Sequence, residues 1–142
     1  MTYEEKKAWL RRYRHAVRME ELKLEEVEQL CTAAQRVTQV LSSMPGGQGD
    51  GQSIPRAVER IEDARLEALA QVERCTQIRS EITHALDQVQ NITDYEILTR
   101  RYIRGQKWEQ IAVEMRMDFR WITRRHHIAV DGLTLESPIP NP

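Results

Sequence analysis

Two long stretches without glycine or proline, separated by one break rich in both, constrain this chain more than any other feature. From Tyr3 to about Leu41 neither residue occurs. Apolar or small side chains recur there at steps of three and four, as Leu10, Tyr13, Val17, Leu24, Val27, Cys31, Ala34 and Leu41, with Glu20 and Thr38 filling the register. That is a heptad-like stripe and predicts one long helix, roughly 60 Å in length. The segment SSMPGGQGDGQSIP, 42–55, holds four of the six glycines and two of the five prolines and is expected to be a flexible connection. Ser53 is suited to cap the next helix, with Pro55 in its first turn. A second stripe follows as Val58, Ile61, Ala68, Val72, Cys75, Ile82, Leu86 and Val89, interrupted by Arg65 and Arg79 and widened by Leu66 and Leu69. It predicts a second long helix to about Gln90.

Two long helices on one flexible loop fold back most simply as an antiparallel, coiled-coil-like hairpin. Aromatic residues at 6% and charged residues at 30% suit elongated helices better than a thick core. Charges within both stripes argue against a fully dry seam. A second chain supplying the missing burial makes a homo-oligomer the expected state, with a dimer favoured. The alternative is a monomer in which arginine stems cover apolar surface. The two cysteines, Cys31 and Cys75, fall on the stripes and read as packing residues, reduced in a cytoplasmic chain. No apolar run approaches membrane-spanning length, and the N-terminus carries no apolar signal core, so a cytoplasmic protein is expected.

From residue 92 the pattern shortens. Thr93 or Asp94 is suited to cap a short helix that turns Leu98 and Tyr102 inward and ends at Gly105. Trp108, Ile111, Ala112 and Met115 share one side of a second short helix. A tight turn follows, and Asp118 is a good cap for a last helix over about Phe119–Val130. The expected organisation is therefore all-α. It has a helical hairpin over 1–91 for oligomerisation, a compact three-helix unit over 92–132, and a proline-rich, disordered tail over 133–142.

The formal net charge of −1 hides an asymmetry. Residues 1–18 carry six positive and two negative side chains, and residues 95–130 eight and four, whereas residues 19–30 carry one and five. Two short helices joined by a turn of three or four residues form a helix-turn-helix, whose second helix can enter a DNA major groove. At 100° per residue Ile122, His126 and Ala129 point one way on the last helix, and Arg120, Thr123, Arg124 and His127 the other. Arginine suits bidentate contact with guanine, and threonine a base edge or thymine methyl, so these four are the expected base-reading residues. Arg100, Arg101, Arg104 and Lys107 stand just before, where phosphate contacts fix orientation. Double-stranded DNA is the expected partner.

The stretch YEILTRRYIRGQKWEQIAVEMRMDFRWITRRHHIAV resembles the helix-turn-helix of sigma-70 region 4. More closely, it resembles the ArpU-like phage transcriptional regulators that carry such a module behind a helical N-terminal region. The resemblance rests on Ile97 to Gly105, on Trp108 to Ala112, and on Ile122, His126 and Ala129, about a quarter of the chain. It implies DNA binding and control of phage or prophage transcription, and no catalytic residue. Two positions depart from the pattern. Arg116 stands where the turn usually has glycine, and His126 where sigma-like sequences often have leucine.

Other readings compete. A phage packaging protein of the small-terminase type also joins a helix-turn-helix to an oligomerising helical region, and a ring of about eight or more subunits would mark it. A sigma-like module can instead bind RNA polymerase and no DNA. His126 and His127 point about 100° apart with no further ligand at metal spacing, so no metal site is expected. PGGQGDG lacks the lysine and the strand-to-helix context of a phosphate loop. No nucleophile–base pair or paired inward carboxylates can be assembled, so neither enzyme activity nor a cofactor is expected. Trp108 reads as a core anchor. Phe119 and Trp121 flank the presumed reading face and either pack or touch DNA. The basic run at 6–18 is either a second DNA or phosphate contact or a solvated helix face.

Overall fold

The structure, a computed structural model, describes residues 1–43 and 51–136. The protein is all-α: every regular element among the described residues is helical. Helix α1 spans Tyr3–Ser43, α2 Ser53–Leu86, α3 Ile92–Leu98, α4 Trp108–Met115 and α5 Phe119–Asp131, with a π-helical turn over Thr99–Ile103 directly after α3. Most of the expected glycine-rich connection, 44–50, and 137–142 of the expected tail lie outside the described residues.

The chain divides into two compact units, Met1–Ala16 with Cys75–Pro142, and Val17–Arg74. The expected boundary is at 91/92; packing draws it through both long helices. The reason is the core of the first unit. Trp9 and Leu10 of α1, and Ile82, Ala85 and Leu86 of α2, are buried in one cluster with Leu98, Tyr102, Val130 and Leu133. Three short helices have too little interior to bury such residues alone. Each fully buried Leu or Ile here stabilises the unit by roughly 1.5–3 kcal/mol. Arg12 seals the edge, donating to Glu81 at 2.7 Å while its guanidinium lies over the Trp9 ring. Leu133 is buried in the same cluster, and Gln88 bonds the backbone of Thr134. Packing therefore continues past 132, where the expected tail begins.

In the second unit α1 and α2 run in opposite directions. Lys23 lies 3.8 Å from Glu67, and further along α1 Cys31 and Ala34 share a shallow cleft with Ile61. The buried stripe of α2, with Val89 just beyond it, keeps Ile61, Ala68, Cys75, Ile82 and Leu86 of the expected one. Ala57, Ile61, Ala64, Ala68, Gln71, Cys75, Ile78, Ile82 and Ala85 are buried or half-buried, in alternating steps of four and three. Val58 and Val72 lie outside it and are exposed. Ala57, Ala64, Gln71, Ile78 and Ala85 complete the stripe in their place. Leu24, Leu66 and Leu69 remain 51%, 63% and 62% exposed.

Candidate nucleic-acid interface

The last three helices are held by a small second core. Ile97 of α3, Ile111 of α4 and Ile122 of α5 are fully buried against one another, with Trp108, Ala112 and Met115 around them. One isoleucine from each helix thus fixes the three axes. Asn91 caps α3, its side chain accepting from the amides of Thr93 and Asp94 at 3.0 and 3.1 Å. Thr93 and Asp94, the caps expected from sequence, are instead inside the first turn. This frees the Asp94 carboxylate for another task. It takes a two-pronged contact from Arg125, at 2.9 and 2.6 Å, and ties α5 to α3.

The connection from α4 to α5 is a three-residue turn, 116–118. Arg116 adopts the left-handed conformation, φ 54° and ψ 45°. The Met117 amide reaches back to Ala112 O at 3.1 Å and the Arg116 amide to Val113 O at 3.2 Å. This is the Schellman arrangement, which satisfies helix-end carbonyls. The turn thus keeps the geometry that a glycine would favour, and arginine there costs about 1 kcal/mol. Asp118 then caps α5 by accepting from the Arg120 amide at 2.8 Å.

Helix α5 is divided lengthwise. Ile122, His126 and Val130 are buried, while Arg120, Arg124 and His127 are exposed. The guanidinium groups of Arg120 and Arg124 make no ion pair or hydrogen bond among the described residues. Thr123 is half-buried, and its hydroxyl donates back to the carbonyls of Phe119 and Arg120. His127 lies beside Tyr3 of α1, ring centroids 4.0 Å apart. The four expected reading residues therefore differ: two are free cations, one is turned toward its own helix, and one stacks on α1. Phe119 and Trp121 are partly exposed, at 44% and 39%.

The four expected phosphate residues also separate. Arg100 is largely buried between Glu96, at 3.0 Å, and Glu114, and it also donates to Gln106. Arg101 donates to Gln106 O at 3.0 Å and lies over the Trp108 ring, 4.7 Å from its centroid. Both are occupied inside the unit. Arg104 and Lys107 are exposed and make no ion pair among the described residues. The π-helical turn sets this division. Arg104 N bonds Thr99 O, a wider loop than an α-turn, and Gly105 follows at φ 68°. The same turn leaves the Thr99 hydroxyl buried without a partner.

Behind α5 the inward Tyr102 and the packed-side His126 meet Tyr3 in a polar cluster, a meeting that the sequence did not indicate. The Tyr102 hydroxyl is 2.6 Å from His126 Nε2, and Tyr3 Oη is 3.4 Å from Nδ1. Trp108 meets the imidazole edge-on, 4.6 Å between centroids. Burial, helped by the nearby charges of Lys7, Arg101, His127 and Arg11, lowers the His126 pKa to about 4. Burial also raises the Tyr102 pKa. The imidazole is thus neutral and the phenol protonated, so one ring nitrogen carries the hydrogen and the other accepts, and Tyr102 and Tyr3 meet one each. This is why a histidine can stand on the packed side of α5. Its signal in the sequence was only the register, since Tyr3 and His126 are 123 positions apart.

Neither cysteine is in a disulfide, and no group of three or more metal-ligating side chains is assembled, among the described residues. Among those residues no helix is long and apolar enough to cross a membrane. Compared with known proteins, the chain matches no family model, no curated protein and no solved structure.

Proposed function

We infer that the protein is a DNA-binding transcription regulator of the phage or prophage type. In this reading α4 and α5 act as a helix-turn-helix, with α5 in the major groove. The observation that carries it is the division of α5: three side chains anchor one face, and Arg120 and Arg124 stand uncommitted on the other. The short turn and the Asp118 cap support the same reading, as does the resemblance of 95–130 to ArpU-like regulators. The two long helices act as a hairpin for homo-oligomerisation, with a dimer favoured. The exposed Leu24, Leu66 and Leu69 support this, since a second copy would remove them from water. No catalytic step, cofactor or metal enters the mechanism, and the cell compartment is the cytoplasm. The decisive experiment is selection of bound sequences from a random DNA pool, with particle size measured in parallel. Enrichment of one motif, symmetric if the protein is a dimer, is expected. Absence of any enriched sequence overturns sequence-specific regulation.

A second reading is favoured by one observation. Val113, Phe119, Trp121 and Ile128 are exposed apolar side chains on and beside the same region. Such a surface suits a protein partner, and RNA polymerase is the one a sigma-like module implies. Binding to purified polymerase, with no duplex bound at low salt, would select it.

A further inference from the structure

We propose that α1 is part of the nucleic-acid surface, and that Arg11, flanked by Lys7 and Arg14, contacts duplex phosphates beside the groove occupied by α5. This deepens the regulator reading and rests on it. Tyr3, Lys7, Arg11 and Arg14 follow one another at steps of four, four and three, so they form a single stripe along α1. One end of that stripe reaches α5: the Tyr3 ring stacks beside His127, on the same exposed face as Arg120 and Arg124, and Lys6 Nζ donates to Asp131 O at 2.6 Å. The other end reaches the π-helical turn. Arg14 donates to Ile103 O at 3.4 Å, and its guanidinium fills the space beside Gly105. Arg104 and Lys107 flank that glycine. The stripe therefore joins the free cations of α5 to those of the turn.

Within the stripe the side chains have different commitments. Lys7 pairs with Glu4 at 3.2 Å and sits over the Tyr3 ring. Arg14 is half-buried at the turn. Arg11 is exposed and makes no hydrogen bond or ion pair among the described residues, whereas its neighbour Arg12 is spent on Glu81 and Trp9. The charges of Lys7, Arg11 and Arg101 all act on His126, so cations of α1 and of the turn stand around the same end of the unit. From residue 3 to residue 14 the stripe is about 16 Å long, which suits a succession of phosphates rather than one small anion. Phosphates carry no sequence information, so this contact adds affinity and fixes orientation without reading bases.

The test uses the full chain and two probes, the selected operator duplex and a mixed-sequence duplex of equal length. Binding is followed from about 50 to 200 mM salt for Arg11→Ala, Arg11→Lys, Arg11→Glu and the wild type. Arg11→Ala should weaken both duplexes by the same factor and make the log–log salt slope shallower by about 0.9. Arg11→Lys should keep the wild-type slope, and Arg11→Glu should weaken binding further, each with an unchanged circular dichroism spectrum. Wild-type affinity and slope in Arg11→Ala, while Arg120→Ala and Arg124→Ala lose operator binding, overturns the α1 contact and leaves the regulator reading standing. A wild-type chain that binds neither duplex overturns both.

Discussion

The Tyr102 hydroxyl sits 2.6 Å from His126 Nε2, in the space between the π-helical turn and α5. This contact joins the segment that carries Arg104 to the helix that carries Arg120 and Arg124. Burial keeps the imidazole neutral there, and from this the pH behaviour of the fold follows. The groups around the ring are Tyr3, Tyr102 and Trp108, and the charges that act on it are those of Lys7, Arg101, His127 and Arg11.

In the unfolded chain His126 titrates near 6.5, and in the folded one at about 4. As pH falls through 6.5 the unfolded state takes up a proton that the folded state does not. The stabilisation is therefore full above the unfolded value and is lost progressively down to about 4. The whole effect is on the order of 3 kcal/mol, and about 2 kcal/mol of it falls between pH 7 and pH 5. Urea unfolding at those two pH values should show a larger drop for the wild type than for His126→Leu. Equal drops would remove His126 from the account.

Arg120→Ala and Arg124→Ala should each weaken operator binding by roughly 1–3 kcal/mol and relax base preference, because both guanidinium groups are exposed and uncommitted. Thr123→Ala should do less, since its hydroxyl already serves the helix carbonyls. Competition binding against single-base operator variants reads this directly. Unchanged affinity in both arginine variants would sink the base-reading role of α5.

The four basic residues before α4 should divide into two classes. Arg104→Ala and Lys107→Ala should each flatten the salt slope by about 0.9, equally for operator and mixed-sequence DNA. Arg100→Ala should leave the slope nearly unchanged. It should destabilise the fold by roughly 1.5–3 kcal/mol, because it strips charged hydrogen bonds from Glu96 and Glu114. Salt-dependent anisotropy and urea titration on the same three variants separate the outcomes. A flattened slope in Arg100→Ala with an intact fold would contradict the division.

These distinctions show what the sequence made legible. Helical periodicity located α1, α2, α4 and α5, and the Asp118 cap and the inward Ile111 and Ile122 followed from spacing of a few residues. The missing features depend on distant partners or on backbone geometry. Arg100 meets Glu114 across a turn, and Arg125 meets Asp94 from another helix, so nothing local distinguishes them from Arg104 or Arg124. The π-helical turn has no propensity signature in TRRYI. Asn91, and not the expected Thr93 or Asp94, is selected as cap by the path of the chain into α3. On α2 the stripe was legible at Ile61, Ala68, Cys75, Ile82 and Leu86, and not where small or polar side chains such as Ala57, Ala64, Gln71 and Ala85 hold the register.

The turn between α4 and α5 offers a test on stability alone. Arg116 is the one non-glycine residue with positive φ among the described residues. Its backbone is locked there by the Met117 and Arg116 amides bonding Ala112 O and Val113 O. The side chain is exposed, so replacing it removes little packing. Glycine adopts φ near 54° without the Cβ clash, though it also gains freedom in the unfolded chain. The first effect is larger at a left-handed position, so Arg116→Gly should stabilise the protein by up to about 1 kcal/mol. Arg116→Val, β-branched and hence worst suited to this conformation, should destabilise it. Thermal or urea unfolding of the three proteins should rank them glycine, arginine, valine. If valine matches arginine, the left-handed turn is not the conformation held in solution, and the angle at which α5 is presented has to be rebuilt.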